Sequence, residues 1–285
     1  MDDAALTIRL LTAADVAVAD RLLQAAFHTP SSFQAALQRY LAIQPDGWLF
    51  ATWAGAPAGM VGAMDYGPFA YIGLMAVHAA MQSRGIGRAL MQHLLTWLDA
   101  RGTPMALLDA TEAGRPLYTT LGFREQDDAC VFEQQTASHA ARRAGRVRLL
   151  TPEALAAVVA FDHPIFGATR EAVFRALLAD FPERCFVVSN EAGQVSGYLC
   201  AQARRLGPWG ARRREDAEAL LHVALSLSYA EAPQVIVPQM NRAAVPLLER
   251  YGFHLVRTTR HMRRGGTGLP GQRERLYGQV SLAIG

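Results

Sequence analysis

Gln82-Ser83-Arg84-Gly85-Ile86-Gly87-Arg88-Ala89 carries the residue types and spacing best suited to chemistry in this sequence, and that chemistry is the holding of phosphate. Gly85 and Gly87 remove side chains where a backbone must come close to an anion. The first amides of a helix have no intrahelical acceptor, so they present N–H groups to such an anion. Arg84 and Arg88 add positive charge at the same end. No Lys-Ser or Lys-Thr follows the glycines, which argues against a P-loop, and GxGxxG fails because the residue three after Gly87 is Leu90. The pattern reads QxxGxG, a short signal that a helix start in another α/β fold would also satisfy.

Two elements must position this loop. Ahead of it, Tyr71-Ile72-Gly73-Leu74-Met75-Ala76-Val77 is an apolar run that reads as a strand. Behind it, a helix from about Gly85 to Arg101 gathers Ile86, Ala89, Leu90, Leu94, Trp97 and Leu98 as its apolar residues. Further on, Met105 to Asp109 reads as a short strand, and Gly114-Arg115-Pro116-Leu117-Tyr118-Thr119-Thr120-Leu121-Gly122-Phe123 follows it.

QxxGxG in this setting resembles the pyrophosphate-binding loop of the GNAT family, acyltransferases that use acetyl-CoA. LYTTLGF is similar to that family's tyrosine-bearing helix and the Gly-Phe step after it. The resemblance implies an α/β (α+β) fold with a mixed, mostly antiparallel central sheet flanked by helices. It implies acetyl-CoA as co-substrate, with the backbones of Met75, Ala76 and Val77 pairing with the pantetheine arm where their strand splays from its neighbour. Gln82, Ser83, Arg84, Gly85, Ile86, Gly87, Arg88 and Ala89 would then surround the pyrophosphate. Tyr118 would lie near the CoA sulfur and protonate the departing thiolate, although an aromatic at this spacing also suits core packing. The family often has proline two residues after the strand, and here His78-Ala79-Ala80-Met81 intervenes, which leaves the local bulge less defined than the loop.

A base for the acceptor ammonium is harder to name, because Phe69 to Val77 contains no carboxylate. Asp65 is the first candidate, with Glu112 and His78 behind it; each equally suits a turn or surface position. Asp109 suits a turn cap beside the tyrosine helix. The reaction expected is transfer of an acetyl group to a primary amine of a small molecule or an amino terminus, by direct attack in a ternary complex. Tyr66, Phe69, Tyr71 and Asp65 hint at an acceptor end built for an amine. The alternative is a non-catalytic acyl-CoA-binding sensor or regulatory protein.

Composition narrows the other classes. With 285 residues, two cores are expected, and 51% apolar against 19% charged residues describes a globular chain. No apolar run is long enough to span a membrane, and the acidic Met1-Asp2-Asp3 is unlike a secretory signal, so a cytoplasmic location is the expectation. Cys130, Cys185 and Cys200 lie far apart without CxxC, and the histidines do not cluster, so no metal site is expected and each thiol reads as a small buried side chain. A net charge of +3 is too small to imply nucleic acid, and the run Arg212-Arg213-Arg214 is followed at once by Glu215 and Asp216, as in a solvated helix start. Arginine supplies all 28 basic residues, which fits a coding bias rather than a function. The expected partner is a small-molecule amine, with neither nucleic acid nor membrane; the oligomeric state, a homodimer included, stays open.

The chain also repeats itself. Ile8-Arg9-Leu10-Leu11-Thr12 returns as Val147-Arg148-Leu149-Leu150-Thr151, each a strand followed by a threonine N-cap. Arg84 to Phe123 aligns without a gap on Arg214 to Phe253, an offset of 130, with Ala89, Leu90, Leu95, Pro116, Leu117, Gly122 and Phe123 recurring. A boundary is expected in Thr136 to Gly145, giving a catalytic domain over 1–137 and a degenerate copy over 146–285. Two closing strands are expected in the first domain, at Phe123 to Glu125 and Ala129 to Glu133. In the copy, Gly85 becomes Glu215, Gly87 becomes Ala217 and Tyr118 becomes Leu248, so the phosphate loop and the proton donor are both lost. The second half resembles the domain that often follows a GNAT domain in bacterial tandem acetyltransferases of the YitH type, on Phe161-Asp162, Phe166-Gly167-Ala168-Thr169-Arg170, Gly197-Tyr198, Leu206-Gly207-Pro208, Asn241, Tyr251-Gly252-Phe253 and Thr259-Arg260-His261-Met262. Gly167, Gly197, Gly207 and Gly252 all suit turns.

Overall fold

The structure, a computed structural model, describes residues 6–136 and 146–285. All of the expected boundary segment except Thr136 lies outside the described residues. By packing, the chain divides after Leu108: one unit holds the residues before that point together with Ile284, and the other begins at Asp109. Among the described residues no helix is long and apolar enough to cross a membrane.

The first unit runs β1 (Leu6–Leu10), α1 (Val16–Phe27), α2 (Gln34–Ile43), β2 (Trp48–Trp53), β3 (Ala56–Asp65), β4 (Ala70–Val77), α3 (Ile86–Ala100) and β5 (Met105–Ala110), the division falling inside the last strand. Its strands lie in the order β1-β2-β3-β4-β5, antiparallel except for the parallel step from β4 to β5. Thr12 opens the first helical segment as expected: its amide and hydroxyl donate to Asp15 Oδ2 at 2.9 and 2.8 Å. α1 buries Val16, Ala19, Leu22 and Leu23 on one face. Asp20, buried on the same helix, accepts from the Phe33 amide at 2.6 Å and the Ser32 hydroxyl at 3.1 Å. Those bonds engage Ser32 and Phe33 just ahead of α2, which starts at Gln34. Gly62 faces Trp48 in the sheet register, and a Cβ there would overlap the indole.

The second unit runs α4 (Arg115–Thr120), β6 (Arg124–Gln134), β7 (Val147–Leu149), α5 (Leu155–Phe166), α6 (Glu171–Asp180), β8 (Cys185–Ser189), β9 (Val195–Ala201), β10 (Leu206–Ala211), α7 (Arg214–Ala224), β11 (Gln234–Pro238), α8 (Ala244–Arg250), β12 (Phe253–Gly265) and β13 (Leu276–Gly278). One set of strands is ordered β12-β6-β11 and the other β13-β10-β9-β8-β7. β6, from the first half of the sequence, lies between two strands of the second half. Phe132 faces Val235 on one side and Leu255 on the other, both pairings antiparallel. Its Cys130 and Phe132 pack with Trp209, Leu220 and Val237 in one apolar cluster.

The two closing strands expected at Phe123 to Glu125 and Ala129 to Glu133 form one continuous strand, β6. The interval left between them is not a break: Asp127 meets Arg273 Nε at 3.1 Å and Asp128 meets Arg260 Nη1 at 2.9 Å within the extended chain. All three cysteines are buried thiols.

Candidate active site

The region around the loop begins in β4. Its register with β5 stops at Ile72↔Leu108, while β4 continues to Val77. On the other side, Gly73 and Ala76 face Gly62 and Met60 of β3, so β4 carries one extra residue there. Leu74 takes it up with φ +52, a left-handed conformation that costs a non-glycine residue about 1 kcal/mol or more. A bulge of this kind re-aims backbone groups and is common beside functional sites. Met75 and Val77 are half-buried and Ala76 is buried.

Beyond Val77 the chain makes a short 3-10 turn, Ala79–Met81, in which His78 Nδ1 accepts from the Ala80 amide at 3.3 Å. Gln82 donates back to the Val77 carbonyl at 3.3 Å and ties the loop to the strand. Ser83 is left-handed at φ +62 and Gly85 at φ +80. Gly85 is the N-cap of α3, and the first amide to reach its carbonyl is that of Ala89, at 2.9 Å. A left-handed residue followed by a helical one turns successive amides into one concavity, which suits an anion. Arg84 stacks on the Trp53 ring at 5.5 Å, with its exposed side chain at the same end. Ile86, Leu90, Met91, Leu94, Leu95 and Leu98 anchor the helix in the core. The sequence reading missed Met91 and Leu95 on this face, while Ala89 and Trp97 lie at its half-exposed rim. This backbone therefore fits a pyrophosphate: amides of a first turn, no Cβ at two positions, and two arginines.

Tyr118 belongs to the second unit. Pro116 sits in the first turn of α4, and Gly122, left-handed at φ +85, closes the helix. The Phe123 amide returns to the Tyr118 carbonyl at 3.1 Å. Thus the Gly-Phe step is a helix stop, which explains why Gly252-Phe253 survives in the copy with Gly252 at φ +78. The Tyr118 ring packs edge-on to Phe123 at 6.0 Å and is 8% exposed. Burial pushes its phenol up to about 12, and among the described residues no hydrogen bond to its hydroxyl is formed.

The base candidates are otherwise engaged. Asp65 Oδ2 accepts from Arg101 Nε at 2.7 Å and its Oδ1 accepts from the Gly67 amide at 2.9 Å, so this carboxylate ties a turn to α3. Glu112 is exposed and pairs with Arg260 at 3.2 Å. Phe69 and Tyr71, each 1% exposed, pack in the core; Tyr66 donates to the Ile284 carbonyl at 2.7 Å. Asp109 lies in β5. It accepts from His261 Nδ1 at 2.8 Å and from Gln279 Nε2 at 3.3 Å, and burial, followed by nearby Arg273, holds the imidazole below its ordinary range. No sequence signal links Asp109 to His261, 152 residues away. Among the described residues no cluster of His, Cys, Asp or Glu is arranged to hold a metal ion.

The copy lacks the loop outright. Only Arg212 and Arg213 separate β10 from α7, where residues 78–85 separate β4 from α3. Glu215 is helical where Gly85 is left-handed, and Glu215 and Asp216 supply negative charge to the first turn of α7 themselves. Asp216 is fully buried and accepts from Arg213 Nε at 3.3 Å. Leu248, at the position of Tyr118, is fully buried.

Comparison with known proteins gives this arrangement its class, that of the acetyltransferases. Residues 18–123 match the acetyltransferase (GNAT) family, and residues 158–278 match the acetyltransferase (GNAT) domain. A crystal structure of a presumed acetyltransferase from Pyrococcus horikoshii is similar over 100% of this chain and 98% of that one, at 26% identity and a TM-score of 0.88. GCN5-related N-acetyltransferases from Sphaerobacter thermophilus and Anabaena variabilis share the fold: TM-scores 0.72 and 0.61, identities 17% and 16%, covering 93% and 91% of this chain and 98% and 72% of theirs. No curated protein matches by sequence. The chain is a tandem member of the GNAT acetyltransferase family, with two domains of that family in one polypeptide.

Proposed function

We propose that the first domain is an acetyl-CoA-dependent N-acetyltransferase acting on a primary amine, and that the second is chemically silent. One observation carries this reading: the left-handed Gly85 at the head of α3, beside a strand that is bulged at Leu74 and has left its parallel partner. The amides from Ile86 onward, with Arg84 and Arg88, hold the pyrophosphate. The free edge of Met75, Ala76 and Val77 pairs with the pantetheine arm and presents a main-chain N–H to the thioester oxygen, whose charge grows as the amine attacks.

Tyr118 donates a hydrogen bond to the departing sulfur. Burial holds its phenol up at about 12, so the hydroxyl is protonated and available as a donor at neutral pH, and the proton lost by the amine goes to solvent. Asp65, committed to Arg101 and Gly67, holds its turn in this scheme, and water takes the place of a side-chain base.

The test is release of CoA from acetyl-CoA across a panel of amines and peptides, with thermal stabilisation by acetyl-CoA measured in parallel. Turnover of at least one amine and a stabilisation that vanishes in Gly87→Glu are expected. No stabilisation of the wild type would overturn the cofactor assignment. Stabilisation without turnover of any acceptor would favour an acyl-CoA sensor.

A further inference from the structure

We infer that β13 is a built-in occupant of the second domain's cofactor slot, closing that domain to acyl-CoA with the chain's own backbone. The inference rests on the proposal that the first domain takes pantetheine along the free edge of β4.

The slot itself has been kept. β10 and β11 start side by side, through a parallel bridge between Arg205 and Gln234, just as β4 and β5 pair in parallel at Ala70 to Ile72. They then part. β10 also carries the extra residue seen in β4: Leu206 and Trp209 face Ala201 and Leu199 of β9, so Gly207 and Pro208 form the bulge. A splayed, bulged strand beside a parallel neighbour is thus present twice in the chain.

In the second copy the gap is filled. β13 pairs antiparallel with β10, Trp209 facing Gly278 and Gly210 facing Leu276. On its other side the Gln279 amide donates to the Ile236 carbonyl of β11 at 2.9 Å. Side chains lock the strand in place. Gln202 Nε2 donates to the carbonyls of Gly207 and Val280 at 2.7 and 3.0 Å, and the buried Asn241 donates to the Leu276 carbonyl at 3.2 Å. The rings of Tyr277 and Trp209 stand 5.1 Å apart. Gln279 and Val280 are buried.

Glycines permit this approach. Gly207 does not make a turn; a Cβ there would overlap the Gln279 carbonyl, and one on Gly278 would stand 2.5 Å from the Leu206 carbonyl. The lead-in is equally tight: Gly167 approaches Gly271, and the Gln272 amide donates to the Ile165 carbonyl at 2.9 Å. Phe166-Gly167, Leu206-Gly207-Pro208 and Asn241, singled out in the sequence without a role, all hold the segment 270–280. A pantetheine arm offers amides on a flexible chain to a strand edge, and β13 offers the same groups already tethered, so an exchange would have to break these bonds first.

Calorimetric titration of the full chain with acetyl-CoA, joined to hydrogen exchange read by mass spectrometry, tests the inference. One equivalent should bind, with new protection in residues 82–89 and unchanged protection in 276–280 at saturation. The double variant Glu215→Gly/Ala217→Gly should still bind one equivalent. A second equivalent in either protein, or faster exchange in 276–280 when acetyl-CoA is added, would overturn the inference. Binding of no equivalent would refute the cofactor reading of the first domain, and this inference with it.

Discussion

His261 Nδ1 lies 2.8 Å from Asp109, and both side chains are fully shielded from solvent. The imidazole must donate to the carboxylate from Nδ1, and burial holds it neutral. Because its folded pKa is depressed below the unfolded 6.5, the unfolded chain binds more protons in that window. Stability contributed by His261 is therefore complete above about pH 6.5 and is lost as pH falls toward the folded value. Thermal unfolding between pH 5 and 7 should show a flatter pH dependence in His261→Gln than in the wild type, beside an overall loss of about 1 to 3 kcal/mol for the broken buried hydrogen bond.

Replacing Tyr118 with phenylalanine keeps the ring against Phe123 and removes only the hydroxyl. The turnover number should fall by roughly 10²-fold, while the Michaelis constant for acetyl-CoA changes little. Since burial pushes the phenol up to about 12, its ionisation should not lower wild-type turnover below about pH 11. A rate loss centred near pH 10 that disappears in Tyr118→Phe would contradict the burial of this group.

Gly85→Ala places a Cβ on a left-handed residue, at φ +80. A stability loss of about 1 kcal/mol is expected, with a larger loss of acetyl-CoA affinity because the relaxed backbone withdraws its amides. Titration of Gly85→Ala and wild type against acetyl-CoA, alongside denaturant unfolding, separates the two effects.

Asp65→Asn removes the charge that meets Arg101 but keeps an acceptor for Gly67. Arg101 is 40% exposed, and a partly exposed pair of this kind contributes no more than about 1 kcal/mol. Acetyl transfer should change by less than a factor of about 5, below what loss of a general base removes. A drop of about 10²-fold with a shifted pH profile would restore Asp65 as the base.

Part of this arrangement was legible in the sequence and part was not. Gly85 was legible because a left-handed helix start needs glycine, and the type of residue announces the backbone. Leu74 has the same conformation and announces nothing, since leucine is not selected for it; the strain is imposed by the register with β3. Gly207 announced only that a Cβ was unwelcome, and the sequence did not distinguish a turn from a close backbone approach. The continuity of β6 through Asp127 and Asp128 was not legible, because their partners, Arg273 and Arg260, come from more than a hundred residues away. The pairing of Asp109 with His261 and the seat of β13 are long-range outcomes of the same kind.

The interleaving of β6 between β11 and β12 bears on how this gene can be cut. A break at the repeat boundary would strip the later half of an inner strand and leave the facing edges of β11 and β12 open, with Val235, Val237 and Leu255 without their pairing partners. Such a fragment should aggregate when expressed alone and be rescued by co-expression with the earlier half. The chain holds two domains of one family, and the lodging of β6 among the later strands has joined them into a single inheritance.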